Sequence, residues 1–281
     1  MKVLITGSSG LLGRAAVSAF RLYIGAEVIG LSRHELDITD AQRVNALFQQ
    51  LRPDLTIHCA AYTRVDDCET NEAEACRVNG DGSGNVARSA HETGSRLIHI
   101  STDYVFGGDE STPIPVDHPT GAPEELSAYG RSKLLGEQQV RQQHPRATIV
   151  RTAWLFGEAG PCFPRSILER ARGGAPLRVV NDQIGSPTYA PDLARALCEL
   201  VRSDAGGTFH ITNAGQCNWY EFAVEILRQA GIDAAIEPVT TDAFPRPARR
   251  PAYSVLDNQS FIETTGYVPR DWQATLADYL A

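Results

Sequence analysis

Met1-Lys-Val-Leu-Ile-Thr-Gly-Ser-Ser-Gly-Leu-Leu-Gly13 is the stretch on which the fold turns. Lys2 to Thr6 is a short run of aliphatic and β-branched residues, the pattern of a buried strand. Gly7, Gly10 and Gly13 follow at three-residue intervals, and a helical pattern begins at once, with Leu12, Ala16, Val17 and Phe20 on one side. A strand, a glycine turn and a helix start together form a cradle for a diphosphate. The glycines let the backbone turn tightly and approach a ligand. The helix start offers unpaired N–H groups and the positive end of its dipole. The spacing is Gly-x-x-Gly-x-x-Gly, not the commoner Gly-x-Gly-x-x-Gly. Glycine turns also follow strands where no phosphate binds; the position directly after an N-terminal strand favours the phosphate reading.

Outward from this unit, strand and helix patterns alternate. Glu27 to Ser32 reads as a second strand, ending in Ser32-Arg33-His34. In nicotinamide-binding folds an acid there holds the ribose hydroxyls, whereas a basic residue accommodates a 2′-phosphate. Arg33 therefore favours NADP(H), while Glu35 leaves NAD(H) open; Arg33 on its own also reads as a solvated surface residue. Thr39 or Asp40 caps a helix from Ala41 to Leu51, and Asp37 is placed either near the adenine or as a plain loop carboxylate. Leu55 to Cys59 is a third strand, followed by the small residues Ala60 and Ala61, then Tyr62 and Thr63. Val65 to Glu69 leads into a helix that includes Ala73, Ala75, Val78 and Asn79; a buried Asn79 would need partners for its amide. Ser83 to Glu92 is helical until Gly94. Arg96 to Ile100 is the fourth strand, running into Ser101-Thr-Asp-Tyr-Val-Phe106, and Thr148 to Thr152 is a further strand before Ala153 and Trp154.

Beyond Gly160 the alternation loosens. Helices are expected over Phe163–Arg172, from Pro191 and Asp192 through Leu200, from Asn218 or Trp219 to about Ala230, and over Trp272–Leu280. Strands are expected at Leu177–Asn181 and Gly207–Ile211. The expected fold is α/β, a doubly wound parallel sheet (Rossmann) with a smaller C-terminal substrate lobe. The division is 1–155 for the dinucleotide-binding domain with the catalytic residues, and 156–281 for the lobe, partly interleaved with the first.

The totals narrow the function classes. A net charge of −8 argues against nucleic-acid or anionic-membrane partners, and 42% hydrophobic residues suffice for a core. No apolar run is long enough for a bilayer span and no leader pattern precedes Lys2, so a cytoplasmic chain is expected. Six scattered cysteines, Cys59, Cys68, Cys76, Cys162, Cys198 and Cys217, read as free thiols, and the seven histidines lack ligand spacing. No metal is expected.

Tyr129 and Lys133 stand four residues apart, on one face of any helix that holds them. A tyrosine titrates near ~10, and a nearby ammonium lowers that value. Lys133 supplies such a charge and reaches a nicotinamide ribose; Tyr129 can then give a proton to a carbonyl oxygen as hydride arrives at carbon. Thr102 offers a hydroxyl to the same oxygen. A surface Tyr–Lys pair and a strand-end threonine bonded to local backbone are the bland alternative, which the N-terminal glycines make the weaker one.

With these motifs the chain resembles the extended short-chain dehydrogenase/reductase family, and within it the dTDP-4-dehydrorhamnose reductase group, over nearly its whole length. The resemblance rests on Thr6–Gly13, Leu36–Asp40, Ala60–Thr63, Ser101–Phe106, Tyr129-Gly-Arg-Ser-Lys133, Asp182-Gln-Ile-Gly-Ser-Pro-Thr188, and Arg250-Pro251 with Ser254 and Leu256. It implies that Thr102, Tyr129 and Lys133 are catalytic. It implies a cofactor pocket of Gly7, Gly10, Leu11, Leu12, Gly13, Arg33, Asp37, Ile38, Ala60, Ala61, Thr63, Tyr129 and Lys133. It implies contacts of Thr102, Asp103, Tyr104, Tyr129 and Trp154 with a dTDP-linked keto-deoxy sugar. Tyr62 departs from the histidine the family often carries. The resemblance leaves open a homodimer, a structural magnesium, a related 4-keto reductase or epimerase, and a non-catalytic subunit like the regulatory subunit of methionine adenosyltransferase. The basic tail, Arg246, Arg249 and Arg250, is available either for substrate phosphates or as a solvated, proline-stiffened loop.

Overall fold

The computed structural model describes residues 1–174 and 176–281. The first half alternates as follows: β1 (Lys2–Thr6), α1 (Leu11–Ala19), β2 (Glu27–Leu31), α2 (Ala41–Leu51), β3 (Leu55–His58), α3 (Val65–Cys68), α4 (Glu72–Cys76), α5 (Ser83–Thr93), β4 (Arg96–Thr102), α6 (Ala128–Gln143) and β5 (Thr148–Thr152). Local chemistry sets several boundaries. Asp40 caps α2 through the Arg43 N–H, and Ser127 caps α6 through the Gly130 N–H. Gly94, at a φ of +74°, ends α5. The expected single helix past Val65 is instead two short helices and a π-helical turn (Arg77–Gly82) that carries Asn79 into the core.

The second half contributes β6 (Leu155–Phe156), α7 (Phe163–Arg172), β7 (Leu177–Val180), β8 (Ile184–Gly185), β9 (Thr188–Tyr189), α8 (Ala190–Ser203), β10 (Gly207–His210), β11 (Cys217–Asn218), α9 (Trp219–Gln229), β12 (Ile236–Val239), α10 (Gln259–Thr265) and α11 (Trp272–Leu280). The main sheet has six strands in the order β10-β5-β4-β3-β1-β2, with every neighbouring pair parallel. Strand β1 feeds β2 on one side, and the chain then crosses to β3 on the other. This reversal opens a crevice beyond the carboxyl ends of β1 and β3, where ligands bind in sheets of this kind.

Both faces of the sheet are covered, which is why its strands read as nearly continuous apolar runs. On one face Val3, Ile5, Ile57 and Ile98 pack against α1 and α8, with Phe261 of α10 sealing the edge. On the other, Leu4, Leu97 and Ile149 meet α2, α5 and α6. A separate core of Phe156, Ile167, Leu177, Phe222, Ile226 and Trp272 holds α7, α9 and α11 around β7. Burying one such side chain contributes roughly 1.5–3 kcal/mol; this cluster stands apart from the two on the main sheet, to which α8, β10 and α10 return.

Candidate active site

The N-terminal turn is packed so tightly that only glycine fits. Gly7 sits at a φ of +68°, and a methyl group on Gly13 would stand 2.1 Å from the Gly7 carbonyl oxygen. Gly10 enters α1 in an extended conformation with no side-chain cap, leaving the first N–H groups of the helix free. These amides fit a dinucleotide diphosphate. Leu12 contributes only backbone there, because its side chain is in the core. The segment after β3 is held close by Thr6, whose hydroxyl pairs with His58 Nδ1 at 2.7 Å and accepts from the Ala60 N–H at 3.3 Å. Ala60 packs against the core on the α2 and α5 face of the sheet, and it and Ala61 carry side chains too small to block the crevice beyond β3.

The far rim separates the two candidate ribose partners. Glu35 folds back and accepts from both the N–H and the hydroxyl of Ser32, at 2.8 and 2.7 Å; these bonds hold its carboxyl below the usual range. Arg33 projects into solvent, with only a 4.0 Å contact to Glu74. The rim thus presents a guanidinium outward and keeps its carboxylate occupied, which suits a 2′-phosphate. Asp37 accepts from the N–H and hydroxyl of Thr39, and those bonds likewise lower its pKa. Ile38 is buried under Gly82.

At the carboxyl end of β4, Thr102, Asp103 and Tyr104 meet the start of α6. The close approach is made by Gly130: a methyl group there would fall 2.3 Å from the Tyr104 carbonyl oxygen. Tyr129 is buried, edge-on to the Tyr104 ring at 5.4 Å between centroids. The Thr102 hydroxyl donates to Asp103 at 2.9 Å. One turn along α6, Lys133 is also buried, and its ammonium donates to the Ile100 carbonyl at 2.7 Å.

The electrostatics revise one expectation. Burial raises the Tyr129 pKa, with Thr102 opposing it, and Lys133 is not the dominant influence. Burial also lowers Lys133 to about 8, against the attraction of Glu137. Burial therefore favours the protonated phenol, and the expected depression by the ammonium does not figure among the influences on it; that ammonium donates to the Ile100 carbonyl. Burial likewise raises Asp103 to about 6, opposed by hydrogen bonds from Ser254 and Thr102.

Three supports act through partners that the sequence alone did not assign. Glu137, four residues beyond Lys133, takes two bonds from Arg151 (2.9 Å each) and one from Ser101 (2.6 Å), all buried. The i, i+4 step from Lys133 was a visible signal of its facing. Asn79 accepts from the Tyr62 N–H at 2.7 Å and donates to the Tyr62 carbonyl at 3.1 Å and the Ser132 hydroxyl at 2.9 Å; Ser132 in turn donates to the Tyr129 carbonyl at 2.8 Å. The π-helical turn is thereby locked to both β3's exit and α6. Third, Arg250 donates to the Tyr104 hydroxyl at 2.8 Å and to Asp66 at 3.0 Å.

Residues 1–281 match the sequence model of the RmlD substrate-binding-domain family. The chain belongs to that family. Among curated relatives, a Streptomyces antibioticus protein named probable dTDP-4,6-dihydroxy-2-methyloxan-3-one 4-ketoreductase is 45% identical, covering 99% of this chain and 94% of its own. A crystal structure titled dTDP-4-dehydrorhamnose reductase from Clostridium acetobutylicum has a TM-score of 0.95 at 42% identity, covering 100% of this chain and 98% of that one. The Bacillus anthracis enzyme of the same name, titled as a complex with NADP, has a TM-score of 0.94 at 35% identity, covering 99% and 98%.

In this member of the RmlD substrate-binding-domain family, a cavity of about 240 Å³ opens in the second half of the chain, lined by Phe163, Arg170, Gln183, Trp219, Arg246 and Arg250 among others. Trp154 lies beside it, stacked on Trp219 with ring centroids 3.5 Å apart and planes 5° from parallel. Trp154 holds a φ of +46°, costly for a bulky residue, and its ring lies against Gly185, where a methyl group would come within 2.4 Å. Of the three tail arginines, Arg246 and Arg250 reach the cavity, whereas Arg249 turns to Asp109. A larger cavity of about 560 Å³ lies at the opposite, amino-terminal edge of β4, β5 and β10, and contains none of the expected site residues. Among the described residues no helix is long and apolar enough to cross a membrane, and no group of three or more His, Cys, Asp or Glu side chains is placed to hold a metal ion. All six cysteines are free.

Proposed function

We propose that the chain reduces the C4 keto group of dTDP-4-dehydro-L-rhamnose to give dTDP-L-rhamnose, with NADPH as cofactor. The observation that carries this reading is the buried Tyr129 phenol beside Thr102, one helical turn from Lys133, at the carboxyl end of the same parallel sheet whose first strand runs into a glycine turn with amides that fit a diphosphate. The names of the three relatives described above, each a dTDP-sugar reductase, support the substrate class.

The glycine turn and the free N–H groups of α1 would hold the cofactor diphosphate, Arg33 the 2′-phosphate, and Ala60, Ala61 and Thr63 the approach to the nicotinamide. Bound there, the reduced nicotinamide supplies hydride. Tyr129, protonated because it is buried, donates its proton to the C4 oxygen as negative charge develops on it. Thr102 orients that oxygen. Lys133 leaves the Ile100 carbonyl for the nicotinamide ribose and, being cationic, stabilises the tyrosinate left behind. Asp103 and Tyr104 border the sugar with Trp154, and Arg246 and Arg250 face the substrate phosphates. The partners in this reading are NADP(H) and a dTDP-linked keto-deoxy sugar, and the compartment is the cytoplasm.

The test is NADPH oxidation followed at its absorbance maximum with dTDP-4-dehydro-L-rhamnose, and identification of the product. Oxidation with formation of dTDP-L-rhamnose supports the reading; its absence refutes it. The 45% identity to a relative named as a different dTDP-sugar 4-ketoreductase favours a second reading, reduction of another dTDP-linked 4-keto sugar. Turnover of that sugar in preference to dTDP-4-dehydro-L-rhamnose would select it. An epimerase would show no net NADPH oxidation, and a regulatory subunit has no use for a buried proton donor.

A further inference from the structure

Asp66 lies in α3, outside every group of residues assigned so far, yet three contacts from one short stretch converge on its carboxylate. Arg250 donates to Oδ1 at 3.0 Å, the Ala248 backbone N–H reaches the same oxygen at 3.4 Å, and Arg246 stands 3.8 Å from Oδ2. The other arm of the Arg250 guanidinium donates to the Tyr104 hydroxyl at 2.8 Å, and Tyr104 packs edge-on against Tyr129. Arg246 and Arg250 are also the two tail arginines that line the cavity of about 240 Å³ in the second half of the chain. The segment 246–250 is therefore a strap from the second half of the chain, on which the Asp66 carboxylate of the first half gathers Arg246, Ala248 and Arg250, while Arg249 turns to Asp109.

We propose that Asp66 is a positioning residue for nucleotide-sugar binding: it clasps the strap and aims Arg250 and Arg246 into the cavity, so that the substrate's phosphates meet a preformed cationic wall. The inference rests on the proposed function for the identity of the substrate, and adds the residue that organises its phosphate site. The physical case has two parts. A guanidinium held by a carboxylate on one edge loses little further freedom when an anion arrives at another, and the planar fork of arginine can serve both at once. The backbone bond to Ala248 fixes the strap itself, which a simple surface ion pair would not do. Asp66 is about a quarter exposed at its side chain, so the clasp is partly screened and its effect on binding is moderate.

The experiment uses the full chain with NADPH and the keto sugar, on Asp66→Ala, Asp66→Asn, Arg250→Ala and the double variant Asp66→Ala/Arg250→Ala. With Asp66→Ala we expect KM for the sugar to rise about tenfold, kcat at saturating sugar to stay within about twofold, and NADPH affinity, followed by its fluorescence, to be unchanged. Asp66→Asn, which keeps an acceptor oxygen, should fall between. In the Arg250→Ala background, removing Asp66 should add little, because its effect passes through that guanidinium. Equal losses in kcat and NADPH affinity would mark a merely structural role and overturn the proposal, as would full additivity of the two substitutions. A fall in KM would also overturn it, by showing that Asp66 withholds Arg250 from the substrate. If the unsubstituted chain fails to oxidise NADPH with the keto sugar, the proposed function fails instead. The same variants titrated with dTDP alone then test the clasp, since weakened dTDP binding by Asp66→Ala still supports it and unchanged binding refutes it.

Discussion

Replacing Lys133 by methionine should cost the protein its activity and, in the ligand-free state, remove a pH-dependent burden on its stability. The side chain is buried and carries its charge against the cost of desolvation, which lowers its pKa from the usual 10.5 to about 8. At ~1.36 kcal/mol per pH unit that displacement corresponds to about 3.4 kcal/mol. The sign follows from linkage. Between pH 8 and 10.5 the unfolded chain holds the proton and the folded chain does not, so stability rises with pH across that window. Below pH 8 both states are protonated and the whole burden falls on the folded state; above 10.5 both are neutral and it is gone. Methionine has no such titration. Unfolding in urea, from pH 7 to 10.5, should therefore show the stability of the natural chain relative to Lys133→Met increasing by up to about 3.4 kcal/mol. Losing the bond to the Ile100 carbonyl shifts the variant by a constant amount and leaves the slope alone. A difference between the two proteins that is flat with pH, or that falls as pH rises, would refute the claim that Lys133 is buried as a strained cation. Activity should drop by at least about a hundredfold in the same variant, since a catalytic positioning charge has been removed.

Tyr129→Phe should lower kcat by 10² to 10⁴, roughly the range for loss of a general acid, while NADPH affinity by fluorescence titration stays close to normal; near-normal turnover would remove Tyr129 from the reaction. Glu137→Ala strands Arg151 in the interior, where its side chain is only 4% exposed. A loss of about 3–5 kcal/mol and a fall in Tm on the order of 10 °C are expected by calorimetry, partly restored by adding Arg151→Met. Arg33→Ala should weaken NADPH relative to NADH by about tenfold or more in kcat/KM, the share of one charge-assisted contact to a 2′-phosphate; an unchanged ratio would assign the 2′-phosphate to another residue.

Much of the first half was legible in the residues alone. Strands buried on both faces leave continuous apolar runs, and helices leave a 3.6-residue period, so β1 to β5 and the long helices could be read locally. The glycine turn was legible because its geometry excludes any side chain at Gly13, and the Tyr129–Lys133 pair because helical spacing is itself a statement about facing. Local signals also marked Asp40 as a cap and Arg33 as the residue at the tip of β2.

What needed the tertiary structure was whatever depends on partners distant in sequence. The run at Gly207–Ile211 reads as a strand, but nothing in it says that β10 extends the first sheet beside β5. The short strands β6, β8, β9 and β11 have two residues each, too few for any period, and α10 follows Asn258 with little pattern beyond Phe261. The tail after Pro238 reads as a proline-rich, basic stretch; only folding brings Arg250 to Asp66 and Tyr104, some 184 and 146 positions away in the chain. The ionisation of the site belongs to the same class. From sequence, Lys133 is a charge that acidifies Tyr129. In the fold, burial is the largest influence on both groups, raising Tyr129 and lowering Lys133, because desolvation depends on everything packed around an atom and not on the residue four positions along.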